Sequence, residues 1–237
     1  MGKREKNEKN SFLVVVIITV LIGIIALGIV YSYNIVEKDI LIKEVNYLVE
    51  NKDLSADRIY MDKLKTKGNY AKVEEAIKTY LNDCGIESKK ILEILGDQRL
   101  TNLLSIDNFE NDGKEFTESF NYIDTTSKEL EESSNKFTNL LTKEETIKYI
   151  QKYNLSDRYN KLFEDLIFDE ETEKEMQNSR ENFAYELGLI SEKLNVTKDI
   201  LSFLKDNKDS WEIQDDSIIF ENTTLLTQYN EFVQKLK

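Results

Sequence analysis

Forty-five carboxylates, one cysteine and no histidine are what this chain of 237 residues offers for chemistry. Without histidine there is no Ser-His-Asp triad, no Cys-His dyad and no ordinary zinc set. A single cysteine makes neither an internal disulfide nor an iron–sulfur cluster. The carboxylates remain. Residues 108–119 (NFENDGKEFTES) approach the pattern of a calcium loop, with Gly113 in the turn position. Such a loop opens with Asp, closes with a bidentate Glu and keeps its eighth position apolar. Here the ends are Asn108 and Ser119, Glu118 comes one position early, and the eighth position is Glu115. The stretch reads as a connector.

Asp169, Glu170, Glu171 and Glu173 crowd the start of a helical pattern, where acids complement the helix dipole. Glu129, Glu131 and Glu132 read as a solvated face. No glycine-rich phosphate loop, nucleophile elbow or metalloprotease helix occurs in the sequence. No catalytic residue, metal ligand or cofactor is therefore expected. Cys84 falls at a core spacing and reads as a buried thiol.

Other positions are marked by context. Glu87, Ser127, Ser134 and Arg180 are polar residues on otherwise apolar helical stripes. They are the expected interaction positions. The serines let a neighbouring helix approach closely; the two charges either meet a partner or pair with each other inside the fold. Trp211, the only tryptophan, is expected to pack against the helices. Exposed, it would instead be a partner anchor.

The elements that must position these residues are helices. There is no proline and there are eight glycines, too few corners for a sandwich or barrel. Residues 12–31 (FLVVVIITVLIGIIALGIVY) carry no charge, and twenty residues at helical rise span about 30 Å, the hydrocarbon thickness. Lys3, Arg4, Lys6 and Lys9 precede the run, which places the N-terminus in the cytoplasm and the rest outside. Ala26-Leu27-Gly28 has the form of a signal-peptide cleavage site, but the apolar run continues to Val30, so the segment is expected to stay attached. The net charge is −13; the first ten residues hold four basic against two acidic side chains, so the remainder sums to −15. Such a domain repels phosphate backbones, and no nucleic-acid partner is expected.

The expected plan is a basic tail at 1–11, a transmembrane helix at 12–36, a helical stalk and connector at 37–68, and an elongated antiparallel helical bundle at 69–237. A short helix from Ser55 to about Lys65 belongs to the connector. Tyr70, Ile77, Cys84 and Ile91 with Val73, Tyr80, Glu87 and Ile94 predict one helix to about Leu95. Phe116, Ile123, Leu130 and Phe137 predict a second, from near Lys114. Thr142 with Glu145 makes a capping box for a helix over 143–153, and Ser156 caps another. Met176, Arg180, Phe183, Leu187, Ile190, Leu194, Thr197, Leu201 and Leu204 predict one unbroken helix to Lys205. Residues 211–220 (WEIQDDSIIF) predict a hairpin turning at Asp215-Asp216, and Leu226, Tyr229, Val233 and Leu236 predict a final helix.

The function this implies is a non-enzymatic, single-pass interaction or envelope protein. Its partners would be the lipid bilayer through residues 12–36 and a protein, either another copy or a different component. The Lys/Asn/Ile/Glu-rich composition suits an AT-rich bacterium. A ligand-binding sensory domain acting through a membrane partner and a carboxylate-dependent hydrolase are the alternatives.

Overall fold

A chain with no proline leaves long helices uninterrupted, and the computed structural model, which describes residues 36–50, 63–168 and 170–236, is mostly helical. Residues 1–35, with the apolar run, and 51–62 lie outside the described residues. Among the described residues no helix is long and apolar enough to cross a membrane. The chain divides into two compact units, Met1–Leu92 with Ser133–Ala184, and Glu93–Glu132 with Tyr185–Lys237. The boundaries fall inside three helices: α2 (Gly68–Gly96), α5 (Thr117–Leu140) and α8 (Glu170–Asp206).

The first unit contains α1 (Val36–Glu50), α6 (Lys143–Gln151), α7 (Asp157–Ile167) and the adjoining parts of the three long helices. Gly68, at φ +60°, opens α2 from a conformation that L side chains rarely adopt. The heptad of α2 is buried as its spacing predicts, with Tyr70, Ile77, Cys84 and Ile91 inside on one row and Val73 and Tyr80 on the other. Phe137 of α5 meets Phe183 of α8 edge-on at 5.2 Å. Arg158 of α7 donates to the Tyr70 hydroxyl at 3.1 Å, beside an edge contact of Tyr70 with Tyr159. Thr142 caps α6, its Oγ1 accepting from Glu145 N at 3.3 Å. The box is half made: Thr142 N donates to Asn139 O, and the Glu145 carboxylate accepts from Lys148.

The second unit contains α3 (Gln98–Asn102), α4 (Ile106–Asp112), β1 (Trp211–Gln214), β2 (Ser217–Phe220), α9 (Thr223–Gln234) and the remaining parts of α2, α5 and α8. Its core joins Phe109, Phe116, Ile123, Leu201, Leu204 and Trp211. Asp97 caps α3 and accepts the Tyr122 hydroxyl at 2.7 Å, tying α3 to α5. The hairpin pairs Trp211 with Phe220 and Ile213 with Ile218, antiparallel. Asp215 and Asp216 sit at φ 49° and 57°. Positive φ at both central residues gives a turn whose twist matches the strands. Asp is among the few residues besides glycine and asparagine that accept it.

Several expectations need correction. The stretch after the apolar run is no free stalk over its described part: Leu41 and Val45 of α1 are buried in the first unit. Residues 63–67 are not helical, so the helix expected through Lys65 does not cover 63–65; the rest of that segment lies outside the described residues. Between α2 and α5 lie two short helices, α3 and α4, because Asp97 and Ser105 each supply a side-chain cap. The second long helix begins at Thr117, after Phe116 at φ 51°. Ser156 precedes α7 without a side-chain cap bond. In α9 the packed side chains are Tyr229, Phe232 and Val233, with Leu236 just past its end, while Leu226 is exposed; Phe232 meets Phe203 in a tilted ring contact at 5.6 Å.

Candidate functional site

Two polar interruptions of the helical stripes, Glu87 and Arg180, each line an open cleft of the first unit. Arg180 stands on α8, one turn before the buried Phe183, and is half-buried in the wall of a cleft of about 460 Å³. Leu141, Phe168 and Met176 wall that cleft with buried apolar surface, and Lys143 and Glu173 stand 4.0 Å apart at its edge. The Arg180 Nε is buried without a hydrogen-bond partner. Of the acids expected at this helix start, Asp169 and the side chains of Glu170 and Glu171 lie outside the described residues.

Glu87 lies on α2 in the row of Tyr80, and only 8% of it is exposed. It lines a second cleft, of about 420 Å³, with Asp83, Ile86, Lys136, Leu140 and Tyr149 among the walls. Glu87 Oε1 accepts from Lys90 Nζ at 2.8 Å, while Oε2 is buried without a partner. Tyr149 on α6 donates to Asp83 Oδ2 at 2.6 Å and packs edge-on against Tyr80 at 5.5 Å. Burial pushes the Tyr149 phenol far up, and the Asp83 carboxylate it faces adds to the shift, so it stays a donor. Glu87 therefore pairs with Lys90, and it and Arg180 line separate clefts.

The serines differ from each other. Ser134 is buried in the first unit with its hydroxyl unpartnered, and its carbonyl accepts from Thr138 Oγ1. Ser127 is half-buried and belongs to the second unit. Trp211 is 3% exposed, stacks on Phe116 and donates from Nε1 to Leu204 O at 2.7 Å. Lys114 Nζ lies 4.6 Å from the centre of its ring. An indole so placed is core, not a free anchor. Asn108 bonds Ser119 Oγ, and Asp112 accepts from the backbone N–H groups of Glu118 and Ser119 at 2.9 and 2.8 Å. Asp112 is thus spent on capping α5, while Glu115 pairs with Lys205 and Lys208 and Lys114 bonds the Lys208 and Trp211 carbonyls.

Sequence reasoning missed one charged cluster. Lys78 Nζ lies 2.7 Å from Glu44 Oε1 and 2.9 Å from Glu74 Oε1, all three side chains nearly fully buried. Glu74 also accepts from the backbone N–H groups of Lys65 and Thr66 and from Thr66 Oγ1. Burial pushes the Glu74 carboxyl up, but bonds from Lys78, Thr66 and the backbone outweigh it and hold the group below its ordinary value. These contacts clamp α1 and residues 65–66 to α2. A signal existed: Glu44 shares the face of Leu41 and Val45, and Glu74 and Lys78 are four apart.

The chain matches no family model, no curated protein and no solved structure in the three comparisons made.

Proposed function

We propose that this chain is a membrane-anchored, extracytoplasmic helical protein that holds a partner and does not turn over a substrate. The partner is another copy or a different envelope component. The observation that carries this reading is that Glu87 and Arg180 each line an open cleft with a buried polar atom lacking a partner. Leaving such an atom unbonded costs about 1–3 kcal/mol. Both atoms are closed to solvent, so a partner that satisfies them must shift these side chains as it binds. The charge-free run at residues 12–31 and the basic residues before it support the anchor. Since α1 is already packed by Leu41, the first unit would begin a turn or two after the bilayer.

Crosslinking in intact membranes should recover one defined protein. Glu87→Ala or Arg180→Ala should weaken its recovery while the fold persists. Crosslinks and stability both unchanged in the two variants would remove these positions from the proposal. A purified chain that finds no partner and hydrolyses a wall polymer would replace it with the hydrolase reading. The sensory reading is favoured by one observation: clefts of about 460 and 420 Å³ have the size of small-molecule sites.

A further inference from the structure

We propose that the Arg180 cleft binds a carboxylate carried on an apolar stem. This rests on the holding role just proposed and names the chemistry held in one of its two clefts. The charged side chains that line this cleft, among the described residues, are Lys143, Glu173, Arg180 and Glu181. All but one are engaged. Lys143 stands 4.0 Å from Glu173, and Glu181 Oε1 accepts from Gln177 Nε2 at 3.2 Å. Arg180 makes no hydrogen bond or ion pair with any described residue, although it is half-buried. Of its guanidinium nitrogens only Nε is closed to solvent; Nη1 and Nη2 are open, on a side chain that lines the cleft. A guanidinium does not shed its proton, so the partly desolvated charge persists until an anion meets it. The two η nitrogens offer parallel N–H donors spaced for both oxygens of one planar carboxylate. Leu141, Phe168 and Met176 supply buried apolar wall for a stem. One unpaired cation matches a monoanion. A phosphate monoester, at nearly two negative charges, would carry its surplus beside Glu173 and Glu181.

The same chemistry reaches the cleft from two sources, an acidic side chain of a protein or a free organic acid. Two probes separate them: Nα-acetyl-glutamate methylamide and butyrate, each titrated calorimetrically into the full chain in nonionic detergent. Nα-acetyl-glutamine methylamide is the uncharged control, and inorganic phosphate the competing anion. Saturable binding of at least one carboxylate is expected. Arg180→Gln should weaken it by about tenfold or more, the value of one charge-assisted bond. Ala184→Trp, at an exposed position one turn along α8, should fill the cleft and block binding without removing a polar group. Lys128→Gln removes a positive charge that is exposed and outside the cleft, and should change nothing. Binding of the glutamate amide assigns the site to a protein side chain; binding of butyrate alone assigns it to a free acid. No saturation by either carboxylate at about ten millimolar overturns the proposal. So does phosphate binding more tightly than both carboxylates, or the glutamine amide binding as well as the glutamate amide. Equal weakening by Lys128→Gln, or full affinity in both Arg180→Gln and Ala184→Trp, overturns it too. If Arg180→Gln misfolds, Ala184→Trp decides. Failure here with partner crosslinks intact sinks the ligand chemistry and leaves the holding role standing.

Discussion

Lys78 sits between two glutamates in a space that excludes water, and each of the three charges depends on the others. Glu74 also accepts from the backbone N–H groups of Lys65 and Thr66, and losing a charged acceptor of this kind costs about 1.5–3 kcal/mol. Glu74→Gln should lower stability by about that much in urea unfolding; a loss under about 1 kcal/mol would show the cluster to be loosely held. The pH dependence has a definite sign. Glu74 is held below its ordinary 4.5, so its contribution is complete above that value and is lost as pH falls through the lower folded value. Burial pushes Lys78 down, but the Glu44 and Glu74 carboxylates raise it above its ordinary 10.5. Its contribution is complete below that value and lost as pH rises through the folded one. The gap between parent and Glu74→Gln should therefore narrow at both extremes of pH. Cys84 gives a second prediction. Burial pushes its thiol up to about 12, so iodoacetamide at pH 8 should label it only in denaturant. Labelling of the native chain would contradict its place in the core. Glu87 and Arg180 were legible as interruptions of a stripe, because a single helix's periodicity exposes them. Their clefts were not, because a cleft depends on which helices become neighbours.

Elements were legible wherever one face decides. The rows of α2, α5 and α8 are mostly buried where their spacing places them, with Ile94, Leu187 and Ile190 only half-buried, and the hairpin has the register that alternation from Trp211 requires. In the final helix Tyr229, Val233 and Leu236 pack as expected, but Leu226 does not and Phe232, which the spacing did not single out, does, beside Phe203. The hairpin turn carries a prediction of its own. Asp216 pays for its φ of 57° in steric strain that glycine does not have, so Asp216→Gly should stabilise the chain by up to about 1 kcal/mol. A destabilised variant would show that the Asp216 side chain matters more than its backbone. Trp211→Ala should cost about 3–5 kcal/mol, the range for emptying a core indole site. Blue-shifted native fluorescence should accompany it, since Trp211 is the only emitter of its kind. Solvent-like emission would contradict the packed position.

For the molecule as a whole, topology and partner decide the function. Protease added to intact protoplasts should remove the chain from about Lys38 onward and leave a small anchored fragment. Protection in sealed cells, or release at a cleaved mass, would contradict the anchored outward orientation. The whole-molecule plan was legible only as a helical protein with a hairpin. Placing α1 within the first unit required seeing Glu44 beside Lys78, a contact across 34 residues of sequence. The most direct measurement of the holding role is site-specific photocrosslinking in intact membranes. A photoreactive residue is placed at Asn139 on the Glu87 cleft, at Gln177 on the Arg180 cleft and, as a control, at the exposed Glu129. The proposed role predicts one adduct of defined mass from at least one cleft position and none from Glu129. No adduct from either cleft, or the same diffuse products from all three positions, would contradict it.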